Sequence, residues 1–330
     1  MLWPVALFSF QAENLISETC FSGGRLSPHK RLQICFKAAR AQFFSVSLIP
    51  VMLAAALAKK DGFSFHWPAF FTFSLAVILM HSGSNLINDY YDFRRGVDKP
   101  GAYGSGCVLA QGLLSPRRAR VCSYLCFLAA FIPGVFLVAL RGPVLLFFGF
   151  AGFLGGYGYT GKPFGFKYLA LGEVLVFLLL GPLLVVSGYF AFSGRLSLSA
   201  AYVSLPAGLL AAAILHSNNL RDMRLDREAG ITTMALWLGL RGAKTEYYLL
   251  LVSSFLCIPV MCSLGVVPPA AFFTWLTLPA AVSCALSVRN AGVAQPSGIA
   301  NIDVRTAGLH LAFGLIYTVS FLAPVLLRRL

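Results

Sequence analysis

Acidic residues are scarce in this chain, and their placement is its first chemical clue. Of twelve Asp and Glu in 330 residues, six fall in two short stretches. The first reads Asn85-Leu-Ile-Asn88-Asp89-Tyr-Tyr-Asp92-Phe-Arg-Arg-Gly-Val-Asp98, and the second Asn218-Asn-Leu-Arg221-Asp222-Met-Arg-Leu-Asp226-Arg-Glu228. Each contains Asn-x-x-x-Asp, and the steps from Asn88 to Asn218 and from Asp92 to Asp222 are both 130 residues. On a helix, residues four apart share a face, so Asn88 with Asp92, and Asn218 with Asp222 and Asp226, form two oxygen-bearing stripes. Hard cations favour such oxygens, and Mg²⁺ in particular is held by one or two carboxylates together with water and phosphate oxygens. The expected metal set is Asn88, Asp89, Asp92, Asp222 and Asp226, with Asn85, Asp98 and Asn218 as further candidates; two facing stripes would hold ions that in turn hold a diphosphate. The competing reading, solvated loop charges beside Arg94, Arg95, Arg221, Arg224 and Arg227, does not account for the same spacing occurring twice in a chain so poor in acids.

A third stretch, Tyr157-Gly-Tyr159-Thr-Gly-Lys162-Pro-Phe-Gly-Phe-Lys167, is rich in glycine and carries two cations, which suits contact with an anion. Lys and aromatic residues are also ordinary interface anchors, so this stretch alone decides little. Glu173 follows in an apolar run, where an acid is expensive and usually functional.

The elements that must position these residues lie in a membrane. The composition is 58% hydrophobic and 12% charged, against about a quarter charged in soluble domains. That excludes an ordinary soluble globule, a disordered chain and a small disulfide scaffold. Nine candidate spans of roughly the necessary length fall near 43–58, 68–88, 119–140, 143–160, 169–192, 199–217, 246–264, 268–288 and 308–327. The runs are continuously apolar rather than alternating, so an all-α polytopic bundle is expected rather than a barrel. Four spans separate the two acid stretches, giving pseudo-duplicated four-helix halves plus a ninth helix.

Of the 26 Lys and Arg, 20 lie in the N-terminal segment and the loops after even-numbered spans. The positive-inside rule then places the N-terminus and both acid stretches on the cytoplasmic side. The rule also explains the net charge of +14 without nucleic acid, because the basic residues lie between spans rather than along one face. The eight cysteines form no C-x-x-C pair, and the five histidines show no metal-ligand spacing. Residues 1–36 lack the pattern of a secretory signal and read as a cytoplasmic arm, with the membrane domain at 37–330.

With these motifs in nine spans, the chain resembles the UbiA superfamily of intramembrane prenyltransferases. That superfamily carries an Asn/Asp-rich motif after its second helix and D-x-x-x-D after its sixth, matched here by Asn88-Asp89-Tyr-Tyr-Asp92 and Asp222-Met-Arg-Leu-Asp226. Gly112-Leu-Leu-Ser-Pro116, Tyr159-Thr-Gly-Lys-Pro163, Gly172-Glu173 and Asn218-Asn-Leu-Arg-Asp222 make it most similar to the 1,4-dihydroxy-2-naphthoate polyprenyltransferases of menaquinone synthesis. Ile231 stands where members usually carry a cation, and the segment Gly101 to Cys107 lacks an Arg often present.

The resemblance implies a polyprenyl diphosphate donor, an aromatic acceptor such as 1,4-dihydroxy-2-naphthoate, Mg²⁺ as cofactor and a bacterial cytoplasmic membrane. It implies catalytic roles for Asp92, Asp222 and Lys167, and diphosphate contacts from Arg40, Tyr159, Lys162, Lys167 and Arg221. The alternatives are transfer to 4-hydroxybenzoate or homogentisate, or a non-enzymatic transporter with an acidic cation site. A transporter site is expected near the bilayer midplane, whereas these acids stand at span ends.

Overall fold

A computed structural model describes residues 27–98, 108–292 and 296–327. Among them the fold is all-helical, with one isolated bridge between Leu169 and Thr232. A short helix α1 (Pro28–Ala38) precedes the bundle. The spanning helices are α2 (Phe44–Lys60), α3 (Trp67–Arg94), α4 (Pro116–Arg141), α5 (Val144–Gly158), α6 (Gly172–Ser193), α7 (Leu198–Glu228), α8 (Met234–Ser263), α9 (Pro269–Arg289) and α10 (Ile302–Leu327). Eight of them are long and apolar enough to cross a membrane, and the shorter α5 is the ninth apolar helix. The domain boundary expected at 36/37 falls inside α1, and residues 1–26 and the segment Gly101 to Cys107 lie outside the described residues.

Local chemistry sets the helix ends. Ser115 accepts a hydrogen bond from the backbone N–H of Arg118, with Pro116 in the first turn, so α4 starts earlier than its apolar run. His66 Nδ1 caps α3 in the same way through the N–H of Ala69, ahead of Pro68. The two acid-bearing helices outrun their apolar stretches, α3 reaching Arg94 and α7 reaching Glu228, because continuing the helix keeps backbone groups paired near lipid.

Small residues bring the helices together, as they must where lipid supplies no hydrophobic drive. A Cβ on Gly181 would stand 3.1 Å from the Gly208 Cα, which fixes the contact of α6 with α7. One turn of α6 at Leu179–Leu183 widens to a π-bulge at Pro182, which has no N–H to donate. Helix α3 packs mainly on α4, α7 mainly on α8, and α10 closes the bundle against α2 and α7. The outer surface is apolar, with Ile132 of α4 76% exposed, as a lipid-facing wall requires.

Candidate active site

Helices α3 and α7 end in the same way. At the end of α3, Gly96 takes φ +70° and the Val97 N–H bonds the Asp92 carbonyl at 2.9 Å. At the end of α7, Gly230 takes φ +67° and the Ile231 N–H bonds the Asp226 carbonyl at 3.1 Å. This left-handed cap favours glycine at both positions. The same cap also closes α2 at Gly62 and α8 at Gly265, so it fixes where each helix ends rather than a register between α3 and α7.

Between these ends opens a cavity of about 1090 Å³. Its mouth is polar: Asn85, Asn88, Asp92 and Asp98 line one side, and Asn218, Arg221, Asp222 and Asp226 the other. Arg40, Tyr159 and Lys167 complete the rim, while the interior wall is apolar, including Phe73, Val77, Phe127 and Leu183. Three expected site residues are elsewhere. Asp89 is fully buried off the cavity wall, its Oδ1 2.6 Å from the Arg40 guanidinium, because neighbours on a helix point about 100° apart. Lys162 is exposed and away from the cavity. Glu173 is buried behind it, accepting hydrogen bonds from His216 Nδ1 and Asn219 Nδ2, both at 2.9 Å.

Of the two lysines in the loop after α5, Lys167 is the one that reaches the acids. The loop after α5 turns back on itself, with the Lys167 N–H bonded to the Tyr159 carbonyl at 2.8 Å, and is tied to the segment after α7 by the Ala170 N–H and Thr232 carbonyl. Lys167 Nζ then lies 2.6 Å from Asp92 Oδ2, while the Tyr168 hydroxyl donates to Asp92 Oδ1 at 2.9 Å. Burial works against the charge of Lys167, but Asp92, with Tyr159 and Asp226 around it, outweighs that and holds the ammonium above its ordinary range. Asp98, folded back over the site by the Gly96 turn, is pushed up to about 6 by burial and by the neighbouring negative charge of Asp92.

Arg221 sits at the crossing of α7 and α10. Its guanidinium donates to Asp222 at 2.7 Å and to the side chain of Asn218, and lies 2.8 Å from Asp303 on α10. Asp303 and Tyr168 were not found from the sequence. The signal for Asp303 was present, since it is one of few acids and opens the last helix; Tyr168, one residue past the Tyr157–Lys167 stretch, carried none of its own.

Hard oxygens with free valence are what a divalent cation needs, and the site has them. Asn88 Oδ1 and Asp98 Oδ2 are buried with no hydrogen-bond partner among the described residues, an arrangement costing about 1–3 kcal/mol per group unless something satisfies it. Among the described residues no three His, Cys, Asp or Glu side chains converge closely enough to chelate an ion alone. The donor set thus fits Mg²⁺ completed by ligand oxygens rather than a closed protein cage.

Two polar helix ends over an apolar chamber, inside a membrane bundle, define an intramembrane enzyme for a substrate with a charged head and a lipidic body. A model of the UbiA prenyltransferase family matches residues 47–295, and the chain belongs to that family; it is a prenyltransferase. The UbiA prenyltransferase domain-containing protein 1 of Xenopus tropicalis is 34% identical over 293 residues, covering 87% of this chain and 81% of the relative. The human protein of that name is also 34% identical, over 296 residues, covering 87% and 83%.

Among solved structures, a UbiA homolog from Aeropyrum pernix K1 aligns with TM-score 0.61 at 18% identity, covering 87% of this chain and 98% of that one. A UbiA homolog from Archaeoglobus fulgidus bound to GPP and Mg²⁺ aligns with TM-score 0.56 at 15% identity, covering 87% and 99%. These relatives do not support the narrower likeness to the 1,4-dihydroxy-2-naphthoate polyprenyltransferases. Nor do the animal relatives support a bacterial membrane.

Proposed function

We propose that the protein transfers a prenyl group from a prenyl diphosphate to an aromatic acceptor, using Mg²⁺ held by Asn88, Asp92, Asp222 and Asp226 with Asp98 alongside. The observation that carries this reading is the unpartnered oxygen pair, Asn88 Oδ1 and Asp98 Oδ2, at the mouth of an apolar cavity. The Archaeoglobus fulgidus neighbour binds GPP and Mg²⁺, which agrees with that assignment of head and tail.

In the transfer, the allylic C1–oxygen bond breaks and its electron pair leaves with diphosphate, while a ring carbon of the acceptor bonds to C1 and the ring gives up a proton. Bound Mg²⁺ would supply neutralisation of the charge that grows on the leaving diphosphate. Lys167 adds a point charge at the same place, since its ion pair with Asp92 holds it at the rim. Tyr168 and Lys167 together fix the Asp92 carboxylate, so one of its orientations is set before the donor arrives. The apolar chamber accepts the prenyl tail and keeps water from the allylic carbon, where it would compete with the ring. Arg40 and Tyr159 stand at the rim as further contacts to the diphosphate. The polar mouth opens on the cytoplasmic side, by the distribution of Lys and Arg.

Purified protein in lipid nanodiscs, given Mg²⁺, labelled geranyl diphosphate and separately 1,4-dihydroxy-2-naphthoate, 4-hydroxybenzoate or homogentisate, tests this. We expect a labelled prenylated aromatic product from at least one acceptor, the dihydroxynaphthoate first among them. Release of diphosphate without any aromatic product would refute it.

A further inference from the structure

We infer that His81 receives a hydroxyl group of the aromatic acceptor; this rests on the function proposed above. Helix α3 presents one face to the cavity, and the polarity of that face changes along it. From the mouth inward come Asp92, Asn88, Asn85 and His81, then Val77 and Phe73, all on the cavity wall. On this face of α3, His81 is the last polar group before the apolar chamber. Seven residues from Asn88, it lies on nearly the same face and about 10 Å deeper along the axis.

The imidazole is held in place. Ser47 Oγ on α2 is 2.6 Å from Nδ1, and the Phe44 ring meets the imidazole edge-on at 5.4 Å between centroids and 82°. Nε2 has no hydrogen-bond partner among the described residues, and it is not among the atoms shut off from the cavity. A fixed ring with one free nitrogen aimed at a chamber is a recognition group, because a polar atom left unmatched there loses its hydration for nothing.

The donor cannot satisfy it. The diphosphate belongs at the level of Asn88 and Asp92, and an isoprenoid tail has no polar atom to offer. The acceptor can, because its ring carbon must approach the allylic C1 to about 3–3.5 Å. C1 follows the diphosphate at the changeover from polar to apolar wall. A ring placed there carries its hydroxyl groups to the depth of His81. Ser47 acts as a positioning residue that keeps Nε2 turned inward.

Binding of tritiated 1,4-dihydroxy-2-naphthoate, handled anaerobically, is measured by equilibrium dialysis against purified wild-type protein, His81→Asn and His81→Gln. The dimethyl ether of the same compound serves as a probe without hydroxyl hydrogens. The Asn amide reaches only as far as Nδ1, whereas the Gln amide reaches to Nε2. We expect His81→Asn to weaken binding of the diol about tenfold, His81→Gln to retain most of it, and the dimethyl ether to bind the wild type about as weakly as the diol binds His81→Asn.

Equal binding of the diol to wild type and His81→Asn overturns the inference. So does a wild type that binds diol and dimethyl ether equally, a comparison that needs no variant to fold. If the diol binds through His81 but no transfer occurs with geranyl diphosphate and Mg²⁺, the proposed function falls and the inference stands. If transfer occurs while binding ignores His81, the reverse holds. A wild type that binds no diol overturns the inference outright.

Discussion

Replacing Arg221 by Leu tests whether the second motif is braced by the last helix. The Arg221 side chain is 1% exposed and that of Asp303 6%, and the two approach to 2.8 Å across the α7–α10 contact. Removing one member of a buried pair strands the other charge, at about 3–5 kcal/mol, whereas replacing both with apolar groups of similar size is often near neutral. Arg221→Leu and Asp303→Leu should therefore each destabilise strongly, and the double variant should be less damaged than their sum by about 2–3 kcal/mol. Asp222 also loses a partner in Arg221→Leu, but its side chain is 19% exposed, so water compensates part of that loss. Unfolding can be followed by SDS titration with a thiol-reactive dye on a background in which the other seven cysteines are replaced by serine, since Cys35 and Cys122 are exposed in the fold whereas Cys284 is 2% exposed and becomes reactive only as the bundle opens. Effects that add to within about 0.5 kcal/mol would refute the brace, and Arg221 would then be free to contact substrate directly.

Asp92→Ala and Asp222→Ala should each abolish prenyl transfer while the protein still elutes as a folded species, and EDTA should do the same to the wild type; near-normal rates in any of the three would remove the metal from the proposal. Ile231→Lys, which restores the cation usual in the family, should not lower the apparent KM for prenyl diphosphate. Ile231 is 7% exposed, off the cavity wall, with its N–H on the Asp226 carbonyl, so a buried ammonium there should lower the SDS midpoint instead; a fall in KM would contradict this placement. Single cysteines placed beside Arg95, Lys162 and Arg227 should label from the cytoplasmic face and one beside Lys60 only from the other, and the opposite pattern would reverse the orientation drawn from the basic loops.

What the sequence showed of this site follows from which physical constraints act locally. Spans were legible because each must be continuously apolar over its own length, and the cavity-lining Asp92, Asp222 and Asp226, with Asn88 one turn before Asp92, because acids are rare where lipid penalises them. Helix ends were less so: hydropathy stops at the last apolar residue, while α3 and α7 continue until Gly96 and Gly230 end them. Asp89 and Lys162 carry the right chemistry beside the right motifs, yet one is rotated onto Arg40 and the other left outside. Spacing of four predicts a shared face but not which of two adjacent acids takes it.

The roles of Asp303 and Ser47 could not be read from the sequence for a different reason. Each matters only through a partner far along the chain, Arg221 and His81 respectively, and such a pairing exists only after the bundle has closed. The family motifs thus mark the polar mouth of the cavity, where the acids are concentrated on two helices. In the proposed function the acceptor meets single residues on separate helices, so its specificity should be read from contacts such as Ser47 with His81 rather than from any motif.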